Sequence, residues 1–276
     1  MRSKVLLCWS SGKDSAWALH ELRRDGNLEV VGLVTTVNAK RARVAMHAVR
    51  LELLERQAAA LGLPLHTVFI PEPCSNEAYD AAMAALMGEA KRDGIAAMAF
   101  GDLFLEDVRT YREERLEASG IEPLFPLWGR PTEALAHEMI ASGLRATITC
   151  IDPKVLAPAF AGREFDRGFL ADLPGSVDPC GERGEFHSFC HDGPMFERPV
   201  PVEAGEIVER DGFVFADLIP AGGDVPPRSD FAQGRLSPTP AGQEAIIRRA
   251  LLKPDLDCAD DTALSRQLQD GAQDEP

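Results

Sequence analysis

The sequence predicts an α/β fold in which a doubly wound, mostly parallel sheet is followed by a smaller mixed α/β domain. Short apolar runs rich in β-branched residues alternate with segments that carry apolar residues at helical spacing. Such alternation with short connections is typical of parallel sheets whose strands are joined by helices. Five predicted helices end at a glycine, the residue best suited to the left-handed position after a helix. These glycines are Gly26, Gly62, Gly94, Gly120 and Gly143.

The elements can be placed one after another along the first half of the chain. The helix over 45–61 shows the clearest pattern, because its apolar residues recur every three or four positions and Pro64 follows closely. A further helix begins at Pro131, and a strand over 146–150 follows it. The strands predicted before these are residues 5–9, 29–37, 65–70, 95–100 and 122–125, and the helices are residues 15–24, 45–61, 78–92 and 107–119.

Periodicity weakens after residue 150, where glycine, proline and charged residues become more frequent. We therefore expect residues 1–128 to form the parallel domain and residues 129–220 the smaller one. The smaller domain ends in a predicted hairpin, with strands over 206–210 and 213–217 around Asp211-Gly212, a pair that favours a type I′ turn. Residues 221–276 are rich in Gly, Pro, Asp and Gln, so we expect a flexible acidic tail with at most one short helix near 242–252.

Charge and cysteine content argue against several classes of protein. The chain of 276 residues has 29 basic and 44 acidic residues, a net charge of −15, which disfavours binding to nucleic acids or to anionic membrane surfaces. It has no apolar run of about 18 residues, the length that a membrane span needs. Because the first strand begins at once, we expect no signal peptide. The six cysteines are scattered, which favours reduced thiols and a cytoplasmic location.

The most informative segment is Ser10-Ser11-Gly12-Lys13-Asp14-Ser15, between the first strand and the first helix. A helix N-terminus carries unpaired N–H groups and the positive end of the macrodipole, so this position favours phosphate binding. The segment is not a Walker A loop, because its upstream glycine is missing and Asp14 follows the lysine. If Ser11 needs a positive φ, that conformation costs about 1–2 kcal/mol. We expect the chain to bind a nucleotide here.

Several other polar residues follow the ends of predicted strands, where ligands bind in open α/β sheets. Because the carboxyl ends of parallel strands meet at one edge, we expect these residues to line the nucleotide site together with the loop at 10–15. They are Thr35 and Thr36 after the second strand, Gly101 and Asp102 after the fourth, and Cys150 and Asp152 after the strand over 146–150.

Three residues on or near helices are further candidates. His47, near the start of the second helix, is placed to contact the nucleotide. Arg109 and Arg112 lie three positions apart on one face of the helix over 107–119. They either clamp phosphates or a substrate carboxylate, or they belong to an ordinary solvated charged face.

The segment over 178–188 is the second unusual stretch. It contains Glu182 and Glu185, each next to glycine, followed by His187. Glycine permits close backbone approach to a ligand, and glutamate with histidine suits proton transfer or ammonia handling. An alternative is a zinc site made by four residues of this region, although their spacing is not that of a standard zinc motif. Those residues are Cys180, His187, Cys190 and His191.

Taken together, these segments resemble the diphthine–ammonia ligase-like ATP pyrophosphatases, a PP-loop family of the adenine nucleotide α-hydrolase superfamily with a HUP-like fold. The loop at 10–15 is similar to the family's PP-loop, S-x-G-x-D-S, with Ser11 in place of the usual second glycine. The other similar segments occur in the family's order between residues 3 and 218. They are residues 46–47, 101–102, 109–113, 125–128 and 181–188.

The resemblance implies ATP-dependent amide formation. A carboxylate attacks the α-phosphate of ATP, pyrophosphate leaves, and free ammonia then attacks the acyl-adenylate and releases AMP. The residues implied to bind ATP are Ser10, Ser11, Gly12, Lys13, Asp14, Ser15, Thr35, Thr36, His47, Gly101 and Asp102, with Asp14 as the implied ligand of Mg²⁺. The residues implied to act in catalysis are Lys13, Arg109, Arg112, Glu182, Glu185 and His187.

The acceptor stays open as an unknown carboxylate on a small molecule or a protein side chain; in the family's named enzyme it is a modified histidine on elongation factor 2. Two alternatives remain. One is a non-catalytic adenine-nucleotide-binding module, for which Ser11 in the loop is the supporting feature. The other is a different PP-loop enzyme, such as a tRNA-modifying enzyme, against which the acidic net charge and the lack of C-x-x-C count. The sequence also leaves a monomer and a homodimer open.

Overall fold

The computed structural model describes residues 2–38, 43–44, 49–70 and 76–222, which form a six-stranded and a four-stranded sheet with flanking helices. The strands are β1 (Ser3–Cys8), β2 (Leu28–Asn38), β3 (Arg43–Val44), β4 (Leu65–Ile70), β5 (Ala97–Ala99), β6 (Glu122–Leu124), β7 (Arg145–Ile151), β8 (Phe186–Asp192), β9 (Val202–Arg210) and β10 (Phe213–Pro220). The helices are α1 (Lys13–Arg24), α2 (Leu51–Leu61), α3 (Asn76–Arg92), α4 (Glu106–Glu117), α5 (Thr132–Ala141) and α6 (Arg167–Asp172), with a 3₁₀ turn at Pro158–Phe160.

Five parallel strands of the first sheet lie in the order β4-β2-β1-β5-β6, and the short β3 pairs antiparallel with the end of β2. The chain runs outward from β1 through β2 to β4 and then returns to β5 on the other side of β1. The strand order therefore reverses between β1 and β5, and ligands of such sheets bind beyond the carboxyl ends of the strands at this point. The predicted fold class is confirmed.

Alternate residues of β1 pack into two apolar clusters on opposite faces of this sheet. Val5 and Leu7 belong to the cluster that contains residues of α1 and α2, whereas Leu6 packs with residues of α3 and α4. A parallel strand that is covered by helices on both faces needs apolar residues at every position. This requirement explains the continuous apolar run that the sequence shows before the loop.

The second sheet has the order β8-β7-β10-β9, and its neighbouring strands are antiparallel. The strand predicted over 146–150 is present as β7, but it pairs with β8 and β10 rather than with the parallel sheet. The expectation that Cys150 and Asp152 share an edge with the loop at 10–15 is therefore wrong. The partners of β7 come later in the chain, and local periodicity does not reveal them. The predicted hairpin is confirmed as β9–β10, with positive φ at Asp211 (54°) and Gly212 (81°).

The second sheet packs on the side of the parallel sheet that α1 and α2 cover, and one apolar cluster includes residues of both. Arg23 near the end of α1 connects them, since its Nη1 donates to the Met195 carbonyl (2.6 Å) and its Nη2 to the Leu61 carbonyl (2.7 Å). The division of the chain at residue 128 stays a prediction.

Two other predictions fall partly outside the described residues. The second helix begins at Leu51 rather than at residue 45, and residues 45–48 lie outside the described part. The tail from residue 223 onward, with the short helix predicted near 242–252, also lies outside it. None of the helices in the described ranges is long and apolar enough to cross a bilayer.

Candidate functional site

The loop at 10–15, which we call the phosphate loop, lies at the reversal point of the parallel sheet between β1 and α1. Gly12 precedes the helix in extended backbone, with φ −83° and ψ 173°. Hydroxyl groups fold the loop, because Ser10 Oγ lies 3.1 Å from Ser15 Oγ and Ser15 Oγ donates to the Gly12 carbonyl at 3.0 Å. The result is a compact turn rich in hydroxyls at a helix N-terminus, an arrangement that binds anions.

Ser11 has a left-handed backbone, with φ 70°. This conformation costs a serine about 1–2 kcal/mol. Its fully buried Oγ has no hydrogen-bond partner among the described residues. Neighbouring elements hold the strained residue, because the Ser11 carbonyl accepts the Cys190 N–H at 2.9 Å and Nε2 of Gln57 at 3.0 Å.

Gln57 of α2 is a residue of this site that the sequence analysis missed. It is fully buried, its Nε2 also donates to the Cys190 carbonyl at 2.6 Å, and its Oε1 accepts from Trp9 Nε1 at 2.9 Å. One side chain therefore joins the end of β1, the phosphate loop and β8. A signal was present in the sequence, since Gln57 stands one turn from Leu53 and Leu61 on the apolar face of a helix. A buried polar side chain there requires partners.

Lys13 is buried against the second sheet. Its Nζ donates to the two carboxylate oxygens of Asp14 (3.0 and 2.9 Å) and to the carbonyl of Cys180. The same ammonium lies 5.4 and 5.3 Å from the ring centroids of Phe165 and Phe186. Burial is the largest single effect and lowers the pKa of Lys13, but the charge of Asp14, the effect of Cys180, the hydrogen bond that Lys13 donates to Asp14 and the effect of Glu182 together raise the pKa above its usual value. The charged Lys13 therefore ties the phosphate loop to the second sheet.

Residues 178–186, which we call the acidic loop, are folded by their own carboxylates. Asp178 Oδ1 accepts the Cys180 N–H at 2.9 Å. Glu185 Oε1 accepts the Asp178 N–H and its Oε2 accepts the Arg183 N–H, both at 2.9 Å. Asp178 and Glu185 are both buried. Glu185, implied to be catalytic, thus has both carboxylate oxygens bound to backbone donors of its own loop, which gives it a loop-building role.

Glu182 is the carboxyl of the acidic loop that reaches the parallel sheet. Its Oε1 accepts the N–H of Leu103, a residue that follows β5, at 2.7 Å. Burial raises the pKa of Glu182 to about 8; the negative charge of Asp14 acts in the same direction, and the Leu103 N–H opposes it. Glu182 therefore carries a proton at neutral pH and can exchange it close to neutral pH, as a general acid or base must.

Gly101 and Asp102 lie beside the phosphate loop. A Cβ on Gly101 would stand 3.0 Å from the backbone carbonyl carbon of Asp14 and 3.0 Å from the nitrogen of Ser15. A side chain at residue 101 would therefore push the end of β5 and the first turn of α1 apart by a few tenths of an ångström. Asp102 forms a two-pronged ion pair with Arg112, whose Nη2 lies 3.1 Å from Oδ1.

The two candidate arginines of α4, Arg109 and Arg112, are both engaged by the protein. Arg112, besides its pair with Asp102, lies over the ring of Phe100 at 4.5 Å. Arg109 lies 4.8 Å from the ring centroids of both Phe125 and Trp128. Its Nε also donates to Glu113 at 2.7 Å. Of these two arginines, Arg112 is therefore the one that Asp102 holds at the edge of the sheet, beside the phosphate loop.

The remaining residues that are candidates for binding the nucleotide lie in different places. Thr35 is buried, and its hydroxyl donates to the Trp9 carbonyl at 2.6 Å, so it supports the entry to the phosphate loop. Thr36, the next residue of β2, is half-buried. His47 lies outside the described residues.

His187 is not brought to the phosphate loop. Its neighbours in β8, Phe186 and Ser188, both contact Lys13; Ser188 Oγ accepts the Lys13 N–H at 3.2 Å. Successive side chains of a strand point to opposite faces. His187 therefore projects from the face of β8 that is turned away from Lys13.

Metal binding is restricted by the arrangement of donors. Within the described ranges, no group of three or more His, Cys, Asp or Glu side chains is suited to a metal ion, so the zinc alternative is not supported. Cys180 Sγ donates to the Thr132 carbonyl (3.4 Å) and Cys190 Sγ to the Asp192 carbonyl (3.6 Å), and burial raises the pKa of both thiols. The partly exposed carboxylate of Asp14 fits Mg²⁺, which commonly takes one or two protein carboxylates together with substrate phosphates.

Comparison with known proteins gives matches to two domains of one family. Residues 1–123 match the diphthamide synthase N-terminal domain, and residues 131–216 match the diphthamide synthase C-terminal domain. Together these two segments cover most of the chain.

Individual relatives give the same result. The chain is 25% identical to a Homo sapiens protein named diphthine–ammonia ligase over 245 residues, which cover 79% of this chain and 89% of the relative. It is 32% identical to a Danio rerio protein of the same name over 133 residues, covering 46% of this chain and 50% of the relative. A Bos taurus protein of that name is 28% identical over 133 residues, which again cover 46% of this chain and 50% of the relative. The last two matches thus span half the length of those relatives.

Proposed function

Because the chain belongs to the diphthamide synthase family, we propose that it is an ATP-dependent ligase that forms an amide from a carboxylate and ammonia. A carboxylate oxygen attacks the α-phosphorus of ATP, the bond to pyrophosphate breaks, and an acyl-adenylate forms. Ammonia attacks the acyl carbon, the nitrogen loses a proton, and AMP leaves. The relatives' name gives diphthine as their acceptor, whereas for this chain we propose only a carboxylate.

The observation that carries this proposal is the position of Glu182. It is held at the end of β5 by Leu103, close enough to Asp14 of the phosphate loop for the Asp14 charge to raise the pKa of Glu182. With a pKa of about 8, Glu182 is ionised in part of the molecules close to neutral pH, and this ionised form can accept a proton from the attacking nitrogen. We therefore assign Glu182 to the ammonia step, and Glu185 to the shape of the acidic loop.

The phosphate loop would bind the leaving pyrophosphate. The backbone N–H groups at the start of α1 supply donors, and the hydrogen bonds of the Ser10 and Ser15 hydroxyls hold the loop in shape; such preorganised donors stabilise developing charge. Asp14 would hold Mg²⁺ together with the phosphates, and the ion would neutralise part of their charge. Lys13 would position the acidic loop through the Cys180 carbonyl.

Product analysis tests the proposal. The protein is incubated with Mg-ATP, ammonium chloride labelled with ¹⁵N and a pool of cell metabolites and proteins. AMP and pyrophosphate are expected in equal amounts, with ¹⁵N in an amide product. Glu182→Gln keeps the acceptor for the Leu103 N–H but cannot take a proton, so it should bind ATP and lose the labelled amide. ADP as the product would show that the β,γ bond is cleaved and would refute the proposal.

A non-catalytic nucleotide-binding module is the second candidate, and one observation favours it. The ammonium of Lys13 is engaged by Asp14, Cys180 and two aromatic rings. If this arrangement persists with ATP bound, Lys13 adds no charge to the phosphates. In that case ATP binds, no acceptor pool supports turnover, and Glu182→Gln changes neither ATP binding nor the products.

A further inference from the structure

A cavity of about 460 Å³ lies between α3 and α4, on the face of the parallel sheet opposite α1 and α2. Sites for small molecules commonly have volumes of about 300–1,000 Å³. No residue of the phosphate loop or of the acidic loop is among the described residues that line it. The cavity is therefore separate from the site proposed for ATP.

The interior of the cavity is apolar. Met83 and Met87 of α3, Met98 of β5 and Leu116 of α4 line it, with the ring of Phe100 at the end of β5. Methionine side chains are unbranched and polarizable, so they adapt to the shape of a flexible apolar ligand. This composition favours an unbranched hydrocarbon chain as the buried part of the ligand.

Cationic side chains also line the cavity, and no carboxylate side chain does among the described lining residues. Lys91 in the last turn of α3 is exposed, and its Nζ lies 3.4 Å from the position that a Cβ on Gly120 would occupy. From α4 come Arg115, stacked over Tyr111 at 5.0 Å, and Arg112. An apolar cavity with cations and no anions in its lining is complementary to an amphipathic anion.

From this combination we propose that the cavity binds a small carboxylic acid with an unbranched apolar chain. The chain contacts the methionines, and the carboxylate faces Lys91 and Arg115. The proposed ligase reaction does not require this binding. Of the described residues that line the cavity, Arg112 alone is also a candidate for the ATP site, because its ion pair with Asp102 lies at the boundary between the two.

Isothermal titration with sodium octanoate tests the proposal, with 1-octanol as a neutral probe with the same chain length. Gly88 lines the cavity, and a Cβ there would touch only Arg92 Nη1, at 3.6 Å, so Gly88→Leu fills the space without a backbone clash. Ala85→Leu is the matched control, because Ala85 is exposed on the same helix and does not line the cavity. Lys91→Met removes the charge but keeps the aliphatic stem.

We expect one equivalent of octanoate to bind, at least about tenfold more tightly than octanol. Binding should be lost in Gly88→Leu and unchanged in Ala85→Leu. In Lys91→Met it should be about fivefold weaker, because an exposed contact between charges changes affinity by about this factor. Thermal unfolding and ATP binding of each variant confirm that it is folded. No octanoate binding, equal affinity for octanol, or full binding by folded Gly88→Leu would each overturn the proposal.

Discussion

Replacing Glu182 with glutamine should remove a large pH dependence from the stability of this protein. In the folded chain, burial and the Asp14 charge raise the pKa of Glu182 from 4.5 to about 8. In the unfolded chain the carboxyl ionises near its ordinary pKa. Between these two pH values the folded state holds a proton that the unfolded state has released, so rising pH favours unfolding.

The magnitude follows from the size of the shift. Each pH unit in this window costs the folded state about 1.4 kcal/mol, so the whole window corresponds to about 5 kcal/mol. The stabilising proton is fully effective below pH 4.5, and the loss is complete above about pH 8. Glutamine cannot ionise, yet its side-chain oxygen can still accept the Leu103 N–H.

Urea unfolding of both proteins at several pH values between 5 and 9 measures this effect. The difference between their free energies of unfolding should change steadily across the window, in favour of the variant as the pH rises. Ionisable groups that do not interact with Glu182 cancel in the difference. The exposed Glu122→Gln, compared in the same way, should show no such change. A difference for Glu182→Gln that is independent of pH would refute the assignment of a raised pKa.

Three further substitutions probe the phosphate loop. Ser11→Gly should stabilise the protein by about 1 kcal/mol in urea unfolding, because glycine adopts the left-handed backbone at φ 70° without strain; a loss of stability would contradict this. Gln57→Leu should cost about 3 kcal/mol in the same assay, since it leaves Trp9 Nε1 and the Cys190 carbonyl without their partner. Gly101→Ala should cost about 1–3 kcal/mol and weaken ATP binding, because its Cβ meets the α1 backbone at 3.0 Å. Gly26→Ala, with nothing within 4 Å, is the control and should leave ATP binding unchanged.

The sequence is informative where local chemistry determines the structure. The apolar run of β1 and the strand–loop–helix order around Ser10–Ser15 predict both the parallel sheet and the position of the phosphate loop. The family's loop has glycine at this position, and Ser11 has the positive φ that glycine adopts without strain. The pair Asp211-Gly212 likewise predicts the hairpin, because the two residues themselves favour the turn.

The rest depends on contacts between segments distant in sequence. β7 joins the second sheet because it pairs with residues 35 or more positions away, such as Phe186 opposite Ile151. The roles of Glu182 and Glu185 could not be separated from the sequence, since both follow the same glycine pattern. Only the folded loop shows that Glu185 accepts backbone N–H groups and that Glu182 reaches Leu103. The position of the Lys13 ammonium likewise depends on the carbonyl of Cys180, 167 positions away in the chain.

Exchange of labelled pyrophosphate into ATP tests the central claim most directly. If a carboxylate is adenylated, ³²P-pyrophosphate should enter ATP when Mg²⁺ and an acceptor-containing fraction are present and ammonia is absent. The same exchange should persist in Glu182→Gln, because adenylation precedes the ammonia step. Entry of label from inorganic phosphate instead, or no exchange with a fraction that supports AMP formation, would contradict attack at the α-phosphate by a carboxylate.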